Sequence, residues 1–313
     1  MVAPKIYRSD DASAPVISGT AGKFVDALSA ILVDGYGSKP AAGWTKEFTA
    51  TNKAVFRMGG AGNKHYLRVD DTGAQMARCV GYTAMTDVDT GVNMWPSSGW
   101  ISGGYYFRKS TAASADARGW ICFASSTAFL FVVCGDNSSA FASSGADAML
   151  LFGAIESRIA GDEYNTLICG ATDSSTSSTS ATSTRQPLPY SDTSYSVNKM
   201  LAGDYAQGVA GGQTCLFGAS SPWQGMQISG DPSYGSAYPD PATLGLNFCA
   251  IGVMEGGRVL RGYLRGINTL LHPFSSIANR ATFDGRGAMS GKSYQVLRIG
   301  GNAAMVIETS GGW

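Results

Sequence analysis

Two histidines, His65 and His272, are all the imidazole in this 313-residue chain, so acid–base and metal chemistry have few starting points. No His-Glu-x-x-His pattern and no His/Cys cluster at ligand spacing occurs. A Ser–His–Asp site would need one of the two, and no Gly-x-Ser-x-Gly elbow presents a serine. Both are therefore expected to be structural. Cys79, Cys122, Cys134, Cys169, Cys215 and Cys249 form no Cys-x-x-Cys pair. Several sit in apolar runs and read as buried free thiols acting as small hydrophobes. GRGAMSGKS (Gly285–Ser293) approaches a phosphate loop, but Arg286 stands where the first glycine is needed. It reads as a turn between strands. Asp70, Asp71, Asp87 and Asp89 could offer carboxylates to calcium, but Asp before Thr-Gly is ordinary turn chemistry. No carboxylate pair for glycoside hydrolysis can be chosen among 23 acidic residues. No catalytic residue, cofactor site or metal ligand is assigned.

Aromatics offer a different chemistry. Trp95, Trp100, Tyr105, Tyr106, Trp223, Tyr234 and Tyr238 lie among Gly, Ser and Pro. Such rings pack the core or pin loops, or else supply contact area to a sugar or a protein at low entropic cost. Trp95, Trp100, Trp223, Tyr234 and Tyr238 are the candidate ligand or partner contacts.

The elements that must position these residues are mostly strands. Gly numbers 41, and charged residues make up only 15 % against the usual ~25 %. Lys+Arg and Asp+Glu are 23 each, which argues against a protein living on phosphate contacts. A hydrophobic content of 44 % supports a core and excludes global disorder. One amphipathic helix is expected over Ala21–Asp34, with Phe24, Val25, Leu28, Ile31 and Leu32 on its apolar face. Thr20 is its expected N-cap and Gly35 its stop. Strands are expected at His65–Val69, Ala77–Tyr82 and Gly104–Arg108. Hairpins are expected over Gly119–Gly135, turning at Ser125-Ser126, and over Phe248–Ile267, turning at Gly256-Gly257. Tyr294–Ile299 and Ala303–Thr309, divided by Gly300-Gly301, complete the pattern. The fold class is mainly β: antiparallel sandwich or barrel-like sheets, one N-terminal amphipathic helix and long Gly/Ser-rich loops.

Residues 1–18 read as an extended N-terminal arm. Residues 19–313 read as a single elaborated β-rich domain. The Ser/Thr segment Thr172–Thr184 is an exposed loop within it, the alternative being a division into two domains there. The N-terminus lacks the basic start and apolar core of a secretory signal. No run approaches the ~18 apolar residues of a membrane helix. Synthesis in the cytoplasm, without membrane insertion, is the expectation.

Several stretches together resemble a family of tailed-bacteriophage virion structural proteins. They are KIYRSDDASAPVISGTAG (Lys5–Gly22), LVDGYGSKPAAGWTKEF (Leu32–Phe48), NKAVFRMG (Asn52–Gly59), YLRVDDTG (Tyr66–Gly73) and ARCVGYTAMTDVDTG (Ala77–Gly91). VLRGYLRGINTLLH (Val259–His272) and ETSGGW (Glu308–Trp313) are similar to its closing part. The resemblance implies a virion location, in the tail or baseplate, and supplies no functional residues. The expected function is a non-enzymatic structural component at the tail tip or baseplate. Its expected partners are other virion proteins and symmetric copies of itself, with no nucleic acid and no cofactor. The alternatives are a receptor- or glycan-binding module for host adsorption, a capsid decoration protein, and an envelope- or sugar-degrading enzyme.

Overall fold

The computed structural model describes residues 3–60, 63–95, 104–134, 147–170, 199–204, 206, 213–216, 248–255, 259–270, 278–299, 303–311 and 313. The chain opens with strand β1 (Lys5–Arg8) and helix α1 (Lys23–Ser29), which runs on into a π-helical turn (Ala30–Asp34). Then come β2 (Thr45–Ala50), β3 (Lys53–Arg57), β4 (Tyr66–Asp70) and β5 (Met76–Tyr82). The short pair β6 (Ala84–Met85) and β7 (Gly91–Val92) precedes β8 (Tyr105–Arg108), β9 (Trp120–Ala124), β10 (Ala128–Cys134) and β11 (Asp147–Ala154). The rest are β12 (Glu156–Ser157), β13 (Thr166–Gly170), β14 (Lys199–Leu201), β15 (Gln213–Leu216), β16 (Phe248–Glu255), β17 (Val259–Leu270), β18 (Thr282–Asp284), β19 (Ser293–Ile299) and β20 (Ala303–Glu308).

The fold is mainly β, antiparallel, with one short helix. A five-stranded sheet has the order β2-β3-β4-β5-β8. A thirteen-stranded sheet runs β1-β9-β10-β11-β13-β14-β15-β16-β17-β20-β19-β18, with β12 paired to β17 off that path. It is not a closed barrel; β1 and β18 are its edges. The expected hairpins are present as β9–β10, β16–β17 and β19–β20. The turns at Gly256-Gly257 and Gly300-Gly301, and the segment Thr172–Thr184, lie outside the described residues. GRGAMSGKS forms a 3-10 turn (Gly287–Met289) between β18 and β19, as a turn reading requires.

Period-two patterning places the two faces of the small sheet. Ala54, Phe56, Leu67, Val69, Ala77, Cys79, Tyr105 and Phe107 face the main core. Val55, Val80 and Tyr82 point the other way and form a second cluster with Met85. The large sheet's β10 is buried at every residue from Ala128 to Val133, because its two faces are both covered. One core cluster runs from Tyr7 to Trp313. Among the described residues, no helix is long and apolar enough to cross a membrane.

The helix is packed as its sequence pattern demands. Phe24, Leu28, Ile31 and Leu32 are fully buried, and Val25, also expected on that face, is half-buried against the same core. Phe24 touches both sheets, stacking on Phe107 at 4.3 Å and meeting Phe131 edge-on at 5.2 Å. Burying such a ring contributes roughly 1.5–3 kcal/mol. The helix stops at Gly35 as expected, but its start differs. The N-cap is Gly22, in the left-handed region at φ 83°, where a Cβ would come within 2.5 Å of the Asn52 Oδ1. Thr20 instead shares a hydroxyl hydrogen bond with Ser18. The first helical N–H groups are taken by Asp71, from 47 positions away.

The N-terminal segment is extended, as expected, and it is tied into the large sheet. β1 pairs with β9 in register Lys5↔Ala124 to Arg8↔Ile121, and Ile17 bridges to Arg118. Tyr7 is fully buried and donates its hydroxyl to the Pro40 carbonyl at 2.7 Å. The cause is the free edge of β9, whose backbone groups need a partner.

Candidate functional site

Two polar centres lie buried inside this apolar frame. The first joins the segment after β4 to the segment after β8. Asp71 and Lys109 are both 0 % exposed and form an ion pair. The Asp71 Oδ2 accepts hydrogen bonds from the Phe24 N–H at 2.7 Å and the Val25 N–H at 3.4 Å. Lys109 also donates to the Thr20 carbonyl at 2.6 Å. Burial pushes the Asp71 carboxyl up to about 6, against the opposing pull of Lys109 and the two amides. Burial lowers the Lys109 ammonium, against the pull of Asp71. Both groups are thus biased toward their neutral forms.

The second centre joins the β3–β4 connection, β12 with its connection to β13, and β17. Arg261, fully buried, forks onto Asp162 with Nε–Oδ2 at 2.8 Å and Nη2–Oδ1 at 2.6 Å. The Ser157 hydroxyl donates to the same carboxylate at 2.5 Å. Burial alone would raise the Asp162 carboxyl; the bonds from Arg261 and Ser157 outweigh it and hold it below the usual value. Asn63 donates to the Asp162 carbonyl at 3.0 Å and to the Asn165 side chain at 2.8 Å. His65 shares a 2.7 Å hydrogen bond with the Thr166 hydroxyl. Burial pushes its imidazole down to about 4, against a weaker pull from Asp162. Thr166 and His65 are at nucleophile–base distance. Yet they are 0 % and 4 % exposed, so the pair is sealed from solvent, with Thr166 on β13 and His65 just ahead of β4.

Two of the acidic turn residues are spent locally. Asp70 accepts from the Thr72 N–H and hydroxyl, and Asp87 from the N–H groups of Asp89 and Thr90. Asp89 pairs with Lys53 and Arg68. This is the expected turn chemistry for Asp70 and Asp87; Asp71 and Asp89, directly before Thr-Gly, depart from it, because their carboxylates reach charged or helical partners on other elements. No group of three or more metal-ligating side chains occurs among the described residues.

An open cleft of about 460 Å³ lies between the helical segment and β2. Asp26, Ser29 and Asp34 line one wall and Lys46, Thr49 and Lys53 the other. β2 is exposed at every residue except the half-buried Phe48, and it pairs only with β3 among the described residues. It is one edge strand of the small sheet, marked by a register shift between Lys46 and Phe48.

Of the aromatic candidates, Trp95 is corrected. It is fully buried, parallel to Phe152 at 6.1 Å and edge-on to His65 at 5.4 Å. Its ring lies on Gly81, where a Cβ would come within 2.3 Å of it. A loop-like neighbourhood in sequence concealed a β-bridge, Gly81↔Trp95, that draws the ring inward. Trp100, Trp223, Tyr234 and Tyr238 lie outside the described residues, as does His272. Cys79, Cys122 and Cys169 are buried free thiols, and burial pushes those of Cys79 and Cys122 up. The sequence reading missed Lys109, Asp162 and Arg261. Asp162 and Arg261 lie 99 positions apart, and no local spacing marks either.

Comparison with protein-family profiles and with curated proteins finds no match.

Proposed function

We propose that the chain is a non-enzymatic structural subunit of a tailed-phage virion, at the tail tip or baseplate, assembled as symmetric copies. One observation carries the reading: the buried ionisable groups join segments remote in sequence. Asp71 holds Lys109 and α1. Asp162 holds Arg261 and Ser157. Such pairs stabilise one arrangement of strands and leave no reactive group facing solvent at either centre. A frame of this kind suits a subunit whose work is to hold shape under load from its neighbours. The exposed edge of β2 fits the same reading, since an unpaired edge is a template for strand addition from another chain. The low charge fits it too, because surface meant for neighbours is depleted of Lys, Glu and Asp. The resemblance carried by Lys5–Phe48 and Val259–His272 supplies the phage context.

The test is the composition of the particle. Mature particles of the encoding phage, purified and analysed by quantitative mass spectrometry, are expected to contain the chain at a fixed ratio to the other structural proteins. Its absence from particles overturns the reading. Antibody labelling at the tail end of the particle is expected; labelling of the head places the chain among capsid decoration proteins instead.

A further inference from the structure

We propose that Lys109 and Asp71 condense to an intramolecular amide, a covalent cross-link between the segment that follows β8 and the one that follows β4. The inference does not depend on the virion reading. Its first support is placement. The two side chains are in contact, both fully buried, with no other ionic partner for either among the described residues.

The second support is the hydrogen-bond inventory. A lysine ammonium has three N–H donors. Here it meets two acceptors, the Thr20 carbonyl and the Asp71 Oδ1. An amide has one N–H and one carbonyl oxygen. Both would find partners already in place: Thr20 O for the N–H, and the Phe24 and Val25 amides for the oxygen. The cross-linked form therefore satisfies this buried site, whereas the charged pair leaves a donor over and keeps two charges out of water.

The third support is reactivity. The Phe24 and Val25 N–H groups converge on Oδ2, where negative charge develops when a nucleophile adds to the carboxyl carbon. Burial favours the neutral amine and the neutral acid, the two forms that react. Both side chains are 0 % exposed, so bulk water is kept from the site.

The step balances without any co-reactant. A proton passes from the ammonium to the carboxylate. The Lys109 Nζ lone pair adds to the Asp71 Cγ, and Oδ2 takes up the charge between the two amides. One proton moves from Nζ to Oδ1, the Cγ–Oδ1 bond breaks, and Oδ1 leaves as water. One N–C bond forms, one C–O bond breaks, and nothing is oxidised or reduced.

The test is the mass of the folded, purified chain after denaturation. It is expected to be lighter than the sequence mass by one water molecule. After trypsin, Val69–Arg78 and Lys109–Arg118 are expected as one branched peptide, with Lys109 uncleaved and fragmentation placing the link on Asp71. Lys109→Arg keeps the cation but is expected to show the full mass. A wild-type chain at full mass overturns the proposal and leaves an ordinary buried ion pair. A mass loss that persists in Lys109→Arg also overturns it, because the dehydration then lies elsewhere.

Discussion

At the scale of single residues, His65 couples stability to pH. Its imidazole is held neutral by burial, down to about 4 from the ordinary 6.5. Between those values the unfolded chain binds a proton that the folded chain refuses. Stability is therefore complete above pH 6.5 and falls as pH drops toward 4, by up to about 3 kcal/mol. Any titration of Asp71, whose carboxyl is pushed the other way, cancels when wild type is compared with His65→Gln. Urea unfolding at pH 7 and pH 4.5 is expected to show wild type losing about 2–3 kcal/mol more than the variant. Equal losses would mean that His65 takes its proton inside the fold. Trp95 gives a second residue-scale expectation. Trp95→Ala empties a core site and is expected to cost about 3–5 kcal/mol of unfolding free energy. Trp95→Phe keeps a ring against Phe152 and discards an indole N–H that has no partner among the described residues, so its cost is expected to be smaller. A thermal melt unchanged by Trp95→Ala would return Trp95 to the candidate contact residues.

At the scale of elements, the start of α1 shows what local pattern can and cannot encode. The apolar stripe Phe24, Val25, Leu28, Ile31, Leu32 is a helix signal of period 3.6, and all of it but the half-buried Val25 is fully buried. The stop at Gly35 is equally local. The N-cap was misread because Thr20 is a good cap by type, while the groups that decide the start, Asn52 and Asp71, come from other elements. Gly22 is the residue that lets them approach. Gly22→Ala forces a side chain into the left-handed region, which costs about 1–2 kcal/mol, and drives its Cβ into Asn52. Denaturant unfolding is expected to show at least that loss, and an unchanged midpoint would mean that the helix start shifts freely. The same division holds for the strands. Hairpins such as β9–β10 were legible because two apolar runs flank a turn of small polar residues. The order of the thirteen-stranded sheet was not, because β1 meets β9 and β17 meets β20 across long separations that leave no local mark. The candidate site followed the same rule. The turn roles of Asp70 and Asp87 were readable from the Thr-Gly that follows, whereas those of Asp71, Lys109, Asp162 and Arg261 acquire meaning only when the sheets are assembled.

At the scale of the whole molecule, the large sheet must curl, since open sheets rarely exceed ~10 strands without doing so. Two contacts hold the rolled ends together, and their magnitudes differ. Arg280 and Asp10 pair at 3.1 Å with side chains 30 % and 63 % exposed; such a pair is worth ~0–1 kcal/mol. Trp313 is buried, parallel to Phe123 of β9 at 6.4 Å, and donates its indole N–H to the Glu308 carbonyl at 3.1 Å. The space left beside it, between Leu151, Leu264 and Ile267, is only about 10 Å³, so this contact is closely packed. Packing is therefore expected to dominate. Trp313→Ala is expected to lower the unfolding free energy by about 3–5 kcal/mol, and Arg280→Ala by less than ~1 kcal/mol, both read from urea denaturation at pH 7. Raising the salt concentration is expected to leave the Trp313→Ala deficit unchanged, because burial is not screened, while erasing what little Arg280→Ala costs. The reverse ranking would mean that surface charge, and not the apolar interior between β9 and β17, fixes the curl of the large sheet.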